Sequence, residues 1–492
     1  MIIRINWHGV NVQIKIILYG QMKGARRMYT LTMTLDSAAR TPMYEQLYRA
    51  LASDIRAGKL AAGERLPSKR GLCAHLGVSI ATVETAYGLL LAEGYVRSRP
   101  RSGFFVSDFV TLDAPAQTKK PPEPAHPAQP VPDAAAAGPD FSTASVDVSQ
   151  FPYASWARLY REAVCGHPEL LQRGERQGDH ALRAALCAFL SEYRGVVCTP
   201  EQIVVGAGLE YLLGLLLELL PPEAVCAAED PGYAGFAHAV SATGRPLRLL
   251  PLDAGGLSVR ALEASDAAVA FITPSHQFPM GLTMPADRRS RLLRWASEAP
   301  GRFLVEDDYD SEFRYLSRPL SALQGMDGAE TVVYLGTFSR SLAPAIRAAY
   351  MVLPPPLLAR YHALPGHGMS TLSRYEQHVL ARFLNEGFYA RYLRRVGNVY
   401  RRRREALIAA LEGIDGVTVS GSGGGIHLLL HNPRFSEEEL LARAAAEGIT
   451  LRGLSSYCAV RPPQPSTLVV GYGGVRDADI PDAAARLKRA WE

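Results

Sequence analysis

The sequence predicts an α/β protein with two folded parts, a small helical unit and a larger unit in which strands and helices alternate. Three observations support this prediction. The chain has 492 residues, more than one ordinary domain holds. Residues 107–140 contain 8 prolines and an alanine run, so they cannot form a core and are expected to be a semi-rigid linker. Residues 34–106 and 141–492, on either side of this linker, have a globular composition and are the expected folded units.

The N-terminal end of the chain is basic. Residues 1–106 hold 15 lysines and arginines against 6 acidic residues, whereas the rest of the chain holds 38 against 42. This end is therefore where an anionic partner is expected to bind. Residues 1–33 contain no acidic residue and no cleavage-site pattern of a secretory signal peptide. Met22, Met28 and Met33 can each serve as a start, and we interpret residues 1–33 as an N-terminal extension without an assigned function.

Capping residues and helical periodicity predict three helices in the first folded unit. Thr41 is expected to cap the first helix, which ends at Gly58. Ser68 opens the second and Ser79 caps the third, and the short connection between these two helices at Gly77 predicts a helix-turn-helix. The inner face of the third helix is expected to consist of Val83, Ala86, Tyr87, Leu90 and Leu91.

Residues 95–106 have strand character at both ends and turn residues between them, which predicts a hairpin after the third helix. Arg97, Arg99 and Arg101 alternate along this hairpin. Side chains two residues apart share one side of a strand, so these arginines are expected to face the same way, an arrangement suited to phosphate contact. The alternative is that they form an inert surface stripe.

The string from Leu66 to Val106 resembles the winged helix-turn-helix of the GntR family of transcription regulators. This resemblance implies that the third helix enters the major groove of double-stranded DNA, while the hairpin, called the wing, approaches the neighbouring groove. It implies DNA-binding positions at Arg70, Ser79, Thr82 and Gly103. From the residues alone, Arg70 can instead be a solvated helix charge, and Thr82 can simply support the helix terminus.

Two positions of the third helix depart from the family pattern. Ile80 and Glu84 stand where many family members carry arginine. Direct guanine readout from these two sites is therefore not expected, and the operator sequence cannot be transferred from relatives.

Five strings in the second folded unit place polar or aromatic residues directly after predicted strands. This alternation of strands and helices predicts an open α/β sheet with a ligand crevice at the carboxyl ends of its strands. The helix that opens after the strand at 203–205 also offers backbone N–H groups to an anion. The five strings are Gly206–Leu213, Glu229–Tyr233, Thr273–Gly281, Leu304–Asp310 and Thr331–Ser341.

Residues from about 141 onwards resemble the fold-type-I transferases that depend on pyridoxal 5'-phosphate, the aminotransferase fold. With the winged helix ahead of them, they are similar to the MocR subgroup of GntR regulators. The resemblance implies that Asp307 pairs with the pyridine nitrogen of the cofactor, that Tyr309 contacts its phenolic oxygen, and that Tyr233 lies against its ring. The residues implied for its phosphate are Thr337, Ser339 and Arg347.

Several residues of these strings also have purely structural interpretations. Asp307 and Tyr309 can serve only the fold of the EDDYD string. His276 and Gln277 either contribute to the site or satisfy buried backbone groups, and His427 can be a core residue.

The Schiff-base lysine of the aminotransferase family is expected where Arg340 stands. A guanidinium stays protonated and delocalised, so Arg340 cannot form that covalent bond. Lysines occur only at positions 15, 23, 59, 69, 119, 120 and 488, so none between 121 and 487 can substitute. Conventional transamination is therefore not expected.

Two interpretations of the ligand crevice remain open. Either it binds pyridoxal 5'-phosphate or an amino-acid adduct of it noncovalently, with Arg340 clamping phosphate or carboxylate, or it has lost the cofactor and binds another small anion. Ala207 and Leu209 lack the hydroxyls that family members usually offer to the phosphate, and Glu210 adds a negative charge.

The leading hypothesis is a homodimeric, DNA-binding transcription regulator with a small-molecule effector. The alternatives are a pyridoxal phosphate-dependent enzyme of the aminotransferase type with a DNA-binding arm, and a DNA-binding dimer without an effector. The longest apolar run ends at Pro221 and Pro222, short of the roughly 20 residues that span a bilayer, so no membrane partner is expected. The 6 cysteines show neither metal nor disulfide spacing, which predicts a cytoplasmic protein without a metal site.

Overall fold

The computed structural model describes most of the chain as two compact units, residues 1–131 and residues 132–492, called here the N-terminal unit and the C-terminal unit. The predicted linker over 107–140 falls mainly on residues outside the described ranges, as do the three candidate start methionines, and both interpretations stay predictions. The described residues are 2–7, 10–15, 35–36, 39, 41–108, 138–315, 321–365, 368–459 and 465–492.

The N-terminal unit begins with an antiparallel pair of strands, β1 (Ile2–Trp7) and β2 (Val10–Lys15). Isoleucine and valine dominate both strands, and β-branched residues favour the extended backbone. This pair belongs to the segment interpreted above as an extension, and no function is assigned to it.

A three-helix element with a hairpin follows: α1 (Met43–Arg56), α2 (Lys69–Leu76), α3 (Ile80–Ala92), β3 (Val96–Arg99) and β4 (Gly103–Val106). The predicted caps of α2 and α3 are present, because the Ser68 hydroxyl accepts a hydrogen bond from the Gly71 N–H and the Ser79 hydroxyl accepts one from the Thr82 N–H. The predicted helix-turn-helix and wing are therefore present.

Two details of this unit differ from the prediction. Pro42 occupies the capping position of α1, so the Thr41 hydroxyl lies one residue too early to cap the helix, and the Thr41 carbonyl instead accepts a bond from the Gln46 side chain. Leu91 is 42% exposed rather than buried on the inner face. Leu90 fills the inner position, and the next residue of a helix lies about 100° further round the axis.

The core of this unit joins the helices to the hairpin. The ring of Tyr87 packs edge-on against Phe104 at a centroid distance of 5.1 Å, and its hydroxyl donates to the Pro67 carbonyl at 2.9 Å. The Leu66 N–H donates to the Phe104 carbonyl at 2.9 Å. These contacts fix the wing against the start of α2.

The C-terminal unit is built on a sheet of eight strands, which are β5 (Ile203–Gly206), β6 (Cys226–Asp230), β7 (Leu247–Asp253), β8 (Gly256–Leu257), β9 (Val269–Ile272), β10 (Phe303–Asp308), β11 (Val332–Thr337) and β12 (Ala349–Val352). Their order across the sheet is β5, β12, β11, β10, β9, β6, β7, β8. The strands from β11 to β7 in this order are parallel, β12 is antiparallel to both of its neighbours, and β8 is antiparallel to β7.

Both faces of this sheet are covered by helices. Alternate side chains of one strand are buried in two different apolar clusters, one on each face. Val269 and Phe271 of β9 lie in one apolar cluster, whereas Ala270 and Ile272 lie in another on the opposite face. The helices of the unit are α4 (Tyr153–Gly166), α5 (His180–Arg194), α6 (Leu209–Leu219), α7 (Ala234–Ala242), α8 (Val259–Glu263), α9 (Ala286–Ser297), α10 (Pro355–Ala363), α11 (Arg374–Asn385), α12 (Phe388–Glu412), α13 (Glu437–Ala446) and α14 (Ile480–Trp491).

A second, antiparallel sheet lies in the C-terminal part of this unit. Its strands are β13 (Thr418–Ser420), β14 (His427–His431), β15 (Arg452–Gly453) and β16 (Thr467–Gly471), in the order β13, β14, β16, β15. Within the described ranges, none of the helices has the length and apolar character needed to cross a bilayer.

Candidate functional site

A cavity of about 450 Å³ lies at the carboxyl ends of β10 and β11 in the C-terminal unit. Parallel neighbours end at the same edge of a sheet, so the topology brings the residues that follow these strands together. All seven residues predicted to contact the cofactor line this cavity, namely Tyr233, Asp307, Tyr309, Thr337, Ser339, Arg340 and Arg347.

The EDDYD string separates its carboxylates by strand alternation. Glu306 accepts hydrogen bonds from the backbone N–H groups of Leu323 at 2.8 Å and Gln324 at 2.9 Å. Asp308 accepts a bond from Arg194 Nε at 2.7 Å. Asp307, between them, points to the other face of the sheet and lines the cavity. Glu306 and Asp308 therefore form hydrogen bonds within the protein, and Asp307 is the carboxylate of this string that lines the cavity.

Asp307 is a buried acid that lacks a full set of partners. Its side chain is 4% exposed, and its Oδ1 atom accepts no hydrogen bond from any described residue. Burial, followed by the neighbouring carboxylates Asp308 and Asp310, raises the pKa of Asp307 to about 8, although Arg340 acts in the opposite direction. A cationic N–H donor within the cavity would satisfy this carboxylate.

Tyr309 is held by a buried histidine. Its hydroxyl lies 3.1 Å from Nδ1 of His276, and Asp310 Oδ2 lies 3.0 Å from the same nitrogen. An Nδ1 that carries its proton can donate to both oxygens. Burial raises the pKa of Tyr309 well above its ordinary value, so the phenol stays neutral and oriented. His276 therefore supports the site through side chains rather than by satisfying backbone groups.

His427 and Gln277 have structural roles beside the cavity. His427 Nε2 lies 3.0 Å from the Pro279 carbonyl, and burial followed by repulsion from His276 lowers the pKa of His427 to about 3. The Gln277 amide donates to the Pro231 carbonyl at 3.0 Å. Ligand atoms of His276, Asp310 and His427 also lie within 4.8 Å of one another, a grouping in which hydrogen bonds already occupy the His276 and Asp310 atoms that face each other.

Aromatic rings form the walls of the cavity. Tyr233, at the start of α7, stacks on Phe271 at a centroid distance of 6.2 Å and an interplanar angle of 28°. Phe278 packs edge-on against Tyr309 at 5.8 Å and against Tyr457 at 5.0 Å. Burial raises the pKa of Tyr233 to about 12, so this ring is also a neutral phenol. Such walls suit a flat, partly apolar ligand.

Arg340 brings a buried cation into this cavity. Its Nη1 atom is buried and has no hydrogen-bond partner among the described residues. Asp307 Oδ1 is also unpartnered, so no hydrogen bond joins these two atoms across the cavity. Ahead of Arg340, the Thr337 hydroxyl accepts a bond from the Ser339 N–H at 3.1 Å, which fixes the turn after β11.

Arg347 differs from Arg340 because its charge is already compensated. Its Nη2 atom lies 2.6 Å from Glu210 Oε2 in the first turn of α6, and both side chains are about half exposed. Partial burial opposes ionisation of Glu210, but a backbone hydrogen bond and the bond to Arg347 lower its pKa below the ordinary value. Glu210 therefore turns towards Arg347, and an anionic ligand must compete with it.

The loop before α6 packs closely against this pair. Gly208 has φ +100°, and a Cβ added there would lie 2.4 Å from Arg347 Nη2. The Ala207 N–H donates to the Thr371 hydroxyl at 2.9 Å. The backbone conformation at 208 therefore favours glycine, and the Ala207 N–H, at the helix start expected to bind an anion, is already bonded within the protein.

Sequence reasoning missed the part of the wall that comes from distant segments. These lining residues are Thr143, Ala144, Arg452, Ser456 and Tyr457. Arg452 stands in β15 of the second sheet, and its side chain forms no ion pair or hydrogen bond within the described part of the chain. Neither Arg452 nor Tyr457 belongs to a motif, so only tertiary packing reveals them.

In the N-terminal unit, the four predicted DNA-binding residues lie on α2, at the start of α3 and at the start of β4. Arg70 is exposed on α2 and has no ion-pair partner among the described residues. Ser79 and Thr82 are joined by a 2.9 Å contact between their hydroxyls at the start of α3. Gly103 has φ +104° at the start of β4, a conformation that favours glycine.

Only two of the three wing arginines, Arg97 and Arg99, lie on the strand and can share one face of it. Arg97 pairs with Asp108 at 3.2 Å, and the guanidinium of Arg99 lies 4.7 Å from the centroid of the Phe105 ring. Arg101 stands in the turn between the strands with φ +61°. The prediction is wrong for Arg101, because the strand ends at Arg99 and alternation does not continue through a turn.

Comparison with known proteins gives matches over both units. Residues 43–106 match the family model described as "Bacterial regulatory proteins, gntR family". The HTH-type transcriptional regulator YdeL of Bacillus subtilis is 36% identical over 472 residues, which cover 94% of this chain and 98% of that protein. The probable rhizopine catabolism regulatory protein MocR of Rhizobium meliloti is 35% identical over 482 residues, covering 93% and 96%.

The C-terminal unit also has a solved structural relative. The crystal structure of Pyrococcus horikoshii kynurenine aminotransferase, in complex with PMP, aligns with a TM-score of 0.63 at 25% identity. The alignment covers 71% of this chain and 90% of that one. The C-terminal unit therefore has the predicted fold-type-I, aminotransferase-like fold.

Proposed function

For this chain, which belongs to the MocR subgroup of the GntR-family transcription regulators, we propose that the C-terminal unit binds pyridoxal 5'-phosphate, or another small anionic ligand, without a covalent bond. The ligand acts as the effector of a homodimer whose winged helices bind double-stranded DNA. In this proposal Arg70, Ser79, Thr82 and Gly103 contribute to the DNA interface.

One observation supports the ligand proposal above all others. The cavity contains a buried acceptor without a partner, Asp307 Oδ1, and a buried donor without a partner, Arg340 Nη1. Unsatisfied buried polar atoms are costly, and a ligand that carries both a cationic donor and an anionic acceptor satisfies both atoms. Pyridoxal 5'-phosphate, a flat pyridinium with acidic substituents, carries both kinds of group.

The residues of the cavity fit pyridoxal 5'-phosphate in this noncovalent mode. Asp307 would accept from its ring nitrogen, Tyr309 would donate to its phenolic oxygen, and Tyr233 would lie against its ring. Its phosphate would lie near Thr337, Ser339 and Arg347, with Arg340 as a further cation. When bound, the cofactor supplies an aldehyde carbon and an electron-withdrawing ring.

The chain's own residues favour holding such a ligand over transforming it. Arg340 has no lone pair available for attack on an aldehyde at neutral pH. No lysine occurs between positions 121 and 487 to replace it. The enzymatic alternative, an aminotransferase-type enzyme with a DNA-binding arm, would need another nucleophile.

The effect on transcription requires coupling between the two units. A ligand changes DNA binding only when it binds two arrangements of the homodimer with different affinity, since equal affinity shifts no population. We therefore propose that ligand binding changes the spacing or orientation of the two winged helices.

Calorimetric titration of the purified protein with pyridoxal 5'-phosphate tests the ligand proposal. We expect saturable binding to the wild type, at least about tenfold weaker binding to Arg340→Ala, and no change for Arg394→Ala, an exposed arginine of α12. Borohydride reduction of the wild type should leave no vitamin B6 group on the polypeptide. In Arg340→Lys, by contrast, reduction should attach one.

The arms of this experiment separate the proposed functions from one another and from the enzymatic alternative. Covalent trapping on the wild type would favour the enzymatic alternative. Absence of pyridoxal phosphate binding to both the wild type and Arg340→Lys would leave a pocket for a different anion. The DNA arm uses a fragment from the protein's own upstream region, where affinity should fall as salt rises, and no binding to any duplex at low salt would refute a DNA-binding regulator.

A further inference from the structure

We propose that Ile80 reads the C5-methyl group of a thymine in the major groove, so that part of the operator specificity is an apolar contact instead of a hydrogen bond. This inference rests on the proposed DNA binding of the winged helix. It concerns a position where the sequence shows only the loss of an arginine.

The position of Ile80 is the first argument. Ile80 is the first residue of α3, directly after the Ser79 cap, and its side chain is 48% exposed. In a helix-turn-helix the N-terminal residues of the second helix face the base edges. A branched alkyl side chain is therefore presented where base contacts are made.

The polar side chains around Ile80 already have partners within the protein. The Ser79 and Thr82 hydroxyls contact each other at 2.9 Å, and the Thr85 hydroxyl donates to the Ala81 carbonyl at 2.9 Å. Each of these three hydroxyls already takes part in a hydrogen bond within α3 or its cap. A hydrogen bond to DNA would have to share a hydroxyl that already has a partner in the protein.

The charged neighbour is engaged as well. Glu84, one turn after Ile80, pairs with Lys69 Nζ at 3.0 Å, so its carboxylate is neutralised by α2. The same Lys69 Nζ lies 5.7 Å from the centroid of the Phe104 ring in the wing. Ile80 is thus the large exposed side chain of the first turn of α3 that hydrogen bonds do not occupy.

The chemistry of the major groove then selects the base. Thymine is the base that presents an apolar group there, the C5-methyl. Removing that methyl from contact with an alkyl side chain costs about fourfold in affinity for each contact. Guanine and adenine edges offer polar atoms that an isoleucine would leave unsatisfied.

The test compares the upstream DNA fragment synthesised with thymine and with uracil, which lacks only the methyl group. The wild type should bind the uracil fragment about fourfold more weakly for each contacted site, and Ile80→Ala should bind both fragments with nearly equal affinity. Ile80→Val keeps branched methyl groups and should retain most of the discrimination. Leu91→Ala, at an exposed residue near the other end of α3, should keep the wild-type ratio.

The outcomes separate the inference from the proposed function. Equal thymine-to-uracil ratios for the wild type and Ile80→Ala would overturn the thymine contact while leaving DNA binding intact. Failure of the wild type to bind any duplex at low salt would refute the DNA-binding function itself. Circular dichroism of each variant verifies folding, and single uracil substitutions across the fragment should locate the contacted thymine in each half-site.

Discussion

At the scale of single residues, the cavity is defined by polar atoms that the described part of the fold leaves without hydrogen-bond partners. Glu306 accepts hydrogen bonds from backbone N–H groups and Asp308 accepts one from Arg194, whereas one oxygen of Asp307 has no partner among the described residues. The resemblance to aminotransferases singled out Asp307 in the EDDYD string, and Asp307 lines the cavity because strand alternation turns it away from its two acidic neighbours. The sequence could not predict the Glu210 to Arg347 pair, since those residues are 137 positions apart and meet only through packing.

Asp307 should give the protein a distinctive pH dependence. Its folded pKa, about 8, lies above the roughly 3.9 of an unfolded aspartic acid, so the folded state binds the proton more tightly. Its protonation stabilises the ligand-free fold at low pH, and this contribution declines as pH rises from about 4 to about 8. Asp307→Asn removes the titration, so the thermal midpoint of the wild type relative to this variant should fall over that window. Asp287→Asn, at an exposed position of α9, should track the wild type, and parallel curves for Asp307→Asn would contradict the raised pKa.

The pair formed by Glu210 and Arg347 should limit anion affinity. Glu210→Gln removes a carboxylate 2.6 Å from Arg347 while keeping a similar shape. We expect the affinity for pyridoxal 5'-phosphate to rise about threefold to tenfold, because the phosphate no longer competes with a neighbouring anion. Calorimetric titration measures this directly, and Glu263→Gln, in the exposed pair with Arg291, is the matched control. Unchanged or weaker binding would mean that the phosphate does not lie near Arg347.

At the scale of elements, the sequence predicted features that depend on neighbouring residues, such as helix caps, and missed features that depend on long-range packing. The bounds of α2 and the caps Ser68 and Ser79 followed from side chains that bond their own helix. Thr41 failed as a cap because Pro42 took that position. The contribution of β15 to the cavity through Arg452 escaped prediction, since no periodicity encodes how the second sheet meets the first.

The wing and α3 provide a matched pair of glycine substitutions. Gly103→Ala forces a side chain onto φ +104° and should destabilise the hairpin by about 1 kcal/mol or more, weakening DNA binding with it. Gly88→Ala lies in the interior of α3 with open space around it and should stabilise that helix by up to about 1 kcal/mol. Hydrogen exchange of the full chain should show faster exchange in β3 and β4 for the first variant and slower exchange in α3 for the second. Identical exchange in both variants would contradict the assigned backbone conformations.

At the scale of the whole molecule, the proline-rich stretch predicted two folded units. The resemblance of Leu66–Val106 to the GntR winged helix, and of the residues from about 141 onwards to the aminotransferase fold, predicted what each unit is, and the comparisons confirm both folds. No sequence pattern predicts the free energy of coupling between the two units. In the proposed homodimer that free energy is measurable without knowing the operator.

Coupling between the units must be reciprocal if the effector hypothesis is correct. If saturating pyridoxal 5'-phosphate changes the affinity for the upstream DNA by some factor, DNA must change the affinity for the ligand by the same factor, typically about 5-fold to 150-fold. Both factors should be measured at one salt concentration, because phosphate contacts make DNA affinity strongly salt-dependent. At a ligand concentration that only just saturates the wild type, Arg340→Ala should show a smaller change in DNA affinity, while its DNA binding without ligand stays at the wild-type level. A ligand that binds the wild type and leaves DNA affinity unchanged would show an occupied pocket that does not regulate.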